Sequence, residues 1–115
     1  MSKSKKYITR DSGKRSSYSS GMVRDICEDK PRYDLIPIPM LKRLAELYTR
    51  GANKYGVNNW QKANSEEELE HAKASAFRHF IQWLENEEDE DHAVATVWNI
   101  FTCEYIKDKL AKENK

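Results

Sequence analysis

Cysteine is almost missing from this chain, and the two present, Cys27 and Cys103, stand far apart with no CxxC and no Cys/His spacing. That excludes a zinc ribbon or a dithiol redox pair and leaves free thiols, which fit a reducing cytoplasm. Glycine is scarce as well: the four, at positions 13, 21, 51 and 56, are too scattered to form a phosphate-cradling loop of the P-loop or dinucleotide kind. No apolar run approaches the roughly 18 residues of a membrane span, and no apolar stretch follows the N-terminal lysines. Neither a membrane segment nor a signal peptide is expected. A serine or cysteine nucleophile motif is also lacking.

What is present suits one folded domain. The 115 residues include 38% hydrophobic and 34% charged positions, and a core of this modest size commonly gains apolar burial by pairing two copies, so a homodimer is expected. The formal net charge of +1 conceals an asymmetry. Residues 1–32 carry nine Lys/Arg against four Asp/Glu, whereas residues 66–91 carry two against ten. A nucleic-acid domain needs a basic face on its folded part, so direct nucleic-acid binding is not expected. The acidic middle suits a divalent cation or, more commonly, solvent.

Residues 1–20, rich in Ser and Lys/Arg, read as a mobile tail, and residues 21–113 as a single helical domain. From Gly21 to Pro39 the prolines at 31, 37 and 39 favour an extended arm that can deliver side chains to a site. A first helix is predicted from about Pro39 to Arg50, ended or bent by Gly51, with Lys42, Arg43, Glu46 and Arg50 on a solvated face. The stretch 52–64 reads as a turn-rich connection carrying Tyr55 and Trp60, aromatics that cap a core or stack on a ligand. Ser65 followed by three glutamates is a capping-box start for a second helix to about Glu87. After the acidic joint 85–91, Asp91 can cap a third helix from His92 to about Lys112. The fold class is therefore all-α: three main helices with an N-terminal arm, a bundle completed by dimerisation.

His92 and Asn99 are seven residues apart, about two helical turns, and so share one face of an otherwise apolar helix. Buried polar groups need partners, and a preceding antiparallel helix offers Arg78, His79 and Gln82. Arg78, His79, Asp91, His92 and Asn99 should thus gather near the joint, beside Glu85, Glu87, Glu88 and Asp89. The plain reading makes them satisfied core polar groups around a neutralised acidic turn. The functional reading has carboxylates holding Mg²⁺ or Mn²⁺, with Arg and His donating to charge on phosphorus.

The succession SGMVRD (20–25), KPRYDLIP (30–37), GANKYGVNNW (51–60), RHFIQWLE (78–85) and EDHAVATVWNI (90–100) resembles a phage-encoded family described as the dATP/dGTP diphosphohydrolase N-terminal domain, over about Gly21 to Tyr105. The resemblance implies a helical nucleoside triphosphate pyrophosphohydrolase similar to the MazG-like group. Such enzymes use Mg²⁺ and a water to release a nucleoside monophosphate and pyrophosphate, usually as dimers or higher oligomers. A phage protein of this kind would act on the deoxynucleotide pool in the host cytoplasm.

Carried onto this chain, the resemblance assigns Arg78, His79, Asp91 and His92 to catalysis. It places Arg24, Lys30, Arg32 and Lys54 on the triphosphate, Tyr55, Asn59 and Trp60 around the base, and Asn99 as an orienting amide at the substrate. Asp91, with Glu87 as support from the acidic joint, is expected to hold the metal. The chain departs from the MazG-like pattern of an ExxE pair on one helix and an ExxD pair on the next. By spacing alone Glu67/Glu70 and Glu88/Asp91 qualify, but the first pair sits about five turns, roughly 25 Å, from the joint. A second reading therefore stands beside hydrolysis: a non-hydrolytic protein that binds and sequesters a nucleotide or a nucleotide-derived signal.

Overall fold

The computed structural model describes residues 7–9, 11–25 and 30–113. Cys27 lies outside the described residues. The chain forms two units, Met1–Tyr33 and Asp34–Lys115.

The first unit contains a short antiparallel hairpin of β1 (Arg15–Ser17) and β2 (Val23–Asp25), with Arg15 opposite Asp25 and Ser17 opposite Val23. This corrects the reading of residues 15–17 as part of a tail. The hairpin needs no apolar core, because Asp25 gathers the strand ends. Its carboxylate accepts from the backbone N–H and hydroxyl of Ser12 and from Arg15, and pairs with Lys30 at 3.7 Å. The Ser12 hydroxyl is the largest influence holding the Asp25 carboxyl below the usual carboxylate range. Arg15 also grips Asp11 through both guanidinium nitrogens, at 2.7 and 2.8 Å. Gly21 closes the turn at φ 91°, a left-handed conformation that costs glycine little.

A turn of 3-10 helix at Tyr33–Leu35 precedes α1, Ile38–Tyr55. Pro37 and Pro39 start α1, since neither donor they lack would have had a partner in the first turn. The helix runs past Gly51, against the expected stop there. A glycine inside a helix costs only about 1 kcal/mol, which neighbouring helical residues offset. Gly56, at φ 97°, ends it instead. Asn58 then adopts a left-handed backbone and opens a second 3-10 turn, Asn59–Lys62, in what sequence marks only as a connection. The Lys109 ammonium fastens this turn by donating to the carbonyls of Gln61 and Ala63.

Helix α2 spans Glu66–Leu84 and begins as its sequence dictates. Ser65 Oγ accepts from the Glu68 N–H at 3.2 Å, and Glu68 Oε1 accepts from the Ser65 hydroxyl and the Asn64 N–H. The helix ends earlier than Glu87, because Asn86 turns left-handed at φ 60°. Helix α3 covers His92–Glu113, with Asp91 accepting from the Val94 N–H.

The core lies between α2 and α3, where Leu69, Ala72, Cys103 and the fully buried Ile106 meet, backed by Ala63 and Leu110. Helix α1 packs along α3 without burying a residue of its own. Among the described residues the backbones of α1 and α2 do not approach each other closely; each runs beside α3. The result is a gap between α1 and α2 with α3 as its floor.

Candidate functional site

That gap is a cleft of about 710 Å³, within the range of small-molecule sites. Tyr48, Gly51, Ala52 and Tyr55 of α1 form one wall, and Glu68, His71, Ala72 and Ser75 of α2 the other. Trp98, Asn99, Thr102 and Ile106 form the floor, while Asn59 and Trp60 close one end. Four residues expected to meet a substrate, Tyr55, Asn59, Trp60 and Asn99, thus line one cavity.

Aromatic edges hold the floor and end wall in place. Trp60 meets Tyr105 edge-on at 4.9 Å and Tyr48 at 6.0 Å, and Tyr48 in turn meets Trp98 at 6.3 Å. Such pairs fix ring positions as well as burying area. Burial also pushes the Tyr48 phenol pKa up. Asn99, nine-tenths buried, donates from its amide nitrogen to the Ala95 carbonyl at 2.8 Å, and Thr102 bonds back to the Trp98 carbonyl. Lys54 stands over the Tyr55 ring, its ammonium 5.1 Å from the ring centre.

The second feature sits where α2 ends and α3 begins. His79 and His92 are both buried, with Nδ1 of one 2.9 Å from Nδ1 of the other. Arg78 lies 3.3 Å from His79 Nε2, and Asp89 lies 2.7 Å from His92 Nε2. The ends of this chain settle its direction, because a guanidinium only donates and an ionised carboxylate only accepts. Arg78 donates to His79 Nε2, His79 Nδ1–H donates to His92 Nδ1, and His92 Nε2–H donates to Asp89. Burial, then the nearby Arg78 charge, depresses the His79 pKa, and the hydrogen bond from His92 holds the Asp89 carboxyl low. A carboxylate oxygen of Glu90 joins the two rings, with one ligand atom from each of the three within 4.8 Å of the others.

Beside this pair is a shallower recess of about 350 Å³ lined by Arg43, Trp83, Glu87, Glu88, Glu90, Asp91, His92 and Ala93. Asp91 is engaged there by Arg43 through two bonds, Nε at 2.8 Å and the second nitrogen at 2.6 Å. Those bonds are the main reason its carboxyl lies below the usual range.

Arg78, His79 and His92 therefore meet as expected, with Glu87 in the adjoining recess. Asp91 turns to α1 instead, and Asn99 stands two turns along α3 in the cleft. Arg24, on β2, and Lys30, paired with Asp25, belong to the first unit, as does Arg32. Asp89 stands at the joint as its sequence position implies, Glu90 has no sequence signal of its own, and Arg43, expected on a solvated face beside Glu46, turns to Asp91 instead. Arg43 carries no local signal, since Glu46 three residues away is an equally good partner on paper. Asp89, three residues before His92, had the spacing of a helix-start partner. The cleft wall Glu68, His71 and Ser75 could have been found from its i, i+3, i+7 spacing on α2.

Residues 21–114 match the family described as "dATP/dGTP diphosphohydrolase, N-terminal". No curated protein and no solved structure matches the chain.

Proposed function

The chain belongs to the dATP/dGTP diphosphohydrolase N-terminal family, and from that premise we propose that it hydrolyses a (deoxy)nucleoside triphosphate to the monophosphate and pyrophosphate with the help of Mg²⁺ or Mn²⁺. The observation that carries this reading is the cleft between α1 and α2, where Tyr55, Asn59, Trp60 and Asn99 converge in a volume suited to a nucleoside. The base lies against Trp60 and Tyr55, and Asn59 and Asn99 supply amide groups to orient it. Arg78, on the outer side of the histidine pair, takes phosphate oxygens.

Carboxylates at the joint suit a hard divalent cation, and Glu87 in the recess has an exposed one. Asp91, held by both bonds from Arg43, anchors α1 to the start of α3 rather than ligating first. When bound, such an ion neutralises phosphate charge and sharpens a water as nucleophile. His79, whose Nε2 lies beside Arg78, and His92, backed by Asp89, add polar groups next to the phosphate charge.

A second copy of the chain is proposed to cover the apolar groups that α2 and α3 leave outside, among them Phe77 at 68%, Ile100 at 47% and Phe101 at 49% exposure. Light scattering should give twice the chain mass. No helix among the described residues is long and apolar enough to cross a membrane, and we propose a cytoplasmic, phage-derived protein acting on the nucleotide pool.

One observation favours the alternative of sequestration without hydrolysis: both oxygens of Asp91, the acid nearest the expected metal motif, are committed to Arg43. Incubating the protein with each NTP and dNTP plus Mg²⁺ or Mn²⁺, resolving products and then extracting bound material separates the two. Monophosphate and pyrophosphate formed only with metal support hydrolysis. Intact nucleotide recovered without turnover supports sequestration, and neither product nor bound nucleotide defeats both.

A further inference from the structure

We infer that His79, His92 and Glu90 form a seat for one divalent first-row metal ion of octahedral preference, such as Mn²⁺, Co²⁺ or Ni²⁺, bound through the two Nδ1 atoms and a carboxylate oxygen. The inference deepens the metal half of the proposed function, but it concerns binding and does not require turnover.

The geometry selects the class of ion. With metal–nitrogen bonds of about 2.05 Å, nitrogens as close as these two subtend about 90°, the cis angle of an octahedron; a tetrahedral ion would need them about 3.3 Å apart. Both rings are at least nine-tenths buried and fixed by packing between α2 and α3, so the pair is held together before any ion arrives. Three protein ligands leave three positions for water or phosphate oxygens. Glu90 is exposed and free to swing the remaining distance.

The two rings are not equally prepared. His92 already places its proton on Nε2, against Asp89 at 2.7 Å, the carboxylate–histidine arrangement that supports a metal ligand. His79 carries its proton on Nδ1, where the ion must bind. Loading removes that proton and returns one to Nε2, with no net change in charge on the ring. The new Nε2–H then faces the Arg78 guanidinium, donor against donor, at what is now 3.3 Å. Arg78 must swing outward, which frees it for an anionic ligand at the moment the metal is in place.

The test titrates the full chain with Co²⁺ without nucleotide, by calorimetry and visible absorption. One equivalent should bind with the weak bands of a six-coordinate ion. Glu90→Gln should weaken binding at least tenfold, as should Asp89→Asn, and His92→Asn should abolish it. Arg78→Ala should tighten binding about fivefold, the size of one part-buried hydrogen bond removed from the competing state. His71→Ala should change nothing. Glu90, Asp89 and Arg78 are exposed, so their variants keep the test decisive if His92→Asn fails to fold. No saturable uptake, an intense four-coordinate spectrum, or uptake indifferent to Glu90→Gln and Asp89→Asn overturns the inference. Saturable uptake without nucleotide turnover would leave it standing while defeating the hydrolase reading.

Discussion

Replacing Trp60 by alanine tests whether the end wall of the cleft is part of the structure or only its lining. The indole meets two tyrosine rings edge-on, at 4.9 and 6.0 Å, and each such pair contributes about 0.5–1.5 kcal/mol beyond area burial. With partial burial added, Trp60→Ala should cost about 3 kcal/mol. That is a fall of roughly 12 °C in Tm for a domain near this size. Trp60→Phe keeps a ring in the same place and should cost about 1 kcal/mol. Urea denaturation followed by circular dichroism measures both. A double-mutant cycle with Tyr105→Leu should return a coupling of about 1 kcal/mol. If Trp60 also stacks on a base, the alanine variant should lose nucleotide affinity by roughly 5- to 100-fold while the phenylalanine variant stays within a few-fold of the parent. A loss below about 1 kcal/mol for Trp60→Ala, together with no coupling to Tyr105, would refute the assignment of this ring cluster as the brace of the cleft.

Ile106, with no exposed surface, should cost about 2–5 kcal/mol when cut to alanine, read from the urea midpoint at unchanged slope. Gly51→Ala should raise stability by about 0.5–1 kcal/mol, because Gly51 is helical and an added Cβ meets nothing within 4 Å; a drop in Tm would contradict the open cleft wall. Ser65→Ala should remove about 1 kcal/mol by uncapping α2. The Asn64 N–H, then the Ser65 hydroxyl, hold the Glu68 carboxyl below its usual range. Its contribution is therefore present above the unfolded carboxylate value and lost as pH falls through the lower folded one; Glu68→Gln should flatten that acid limb of Tm against pH. Chelation by EDTA should abolish turnover while leaving the far-ultraviolet helical signal intact; turnover persisting after exhaustive chelation would remove the metal from the reaction.

Local chemistry was the readable part of this fold. The start of α2 followed from Ser65 and Glu68 because a capping box is complete within four residues. The meeting of His79 with His92 followed from two antiparallel helices joined by a short acidic turn. The end of α1 was misplaced because glycine disfavours a helix too weakly to stop one that rests on a neighbour. The hairpin is not legible because its strands of three residues show no hydrophobic alternation; Asp25, which gathers its ends, pairs with Ser12 and Arg15, ten or more positions away. Arg43 and Asp91 are separated by 48 positions, and no pattern within either segment announces their pairing. The cleft was legible only as a set of residues suited to a nucleotide. Its existence depends on the backbones of α1 and α2 standing apart, and that is a property of tertiary packing.

This separation has a dynamic consequence. Helix α1 is held by α3, by the Arg43–Asp91 bonds and by ring contacts, with none of its own residues buried. It can open while the α2–α3 pair stays intact, so its backbone amides should exchange with solvent well before those around Ile106. A molecule seated in the gap would touch both α1 and α2 and bridge them. Its arrival would then be visible as slowed exchange along α1, a signal of occupancy that needs no turnover, and α1 would be the part of the protein whose order depends on what the cleft contains.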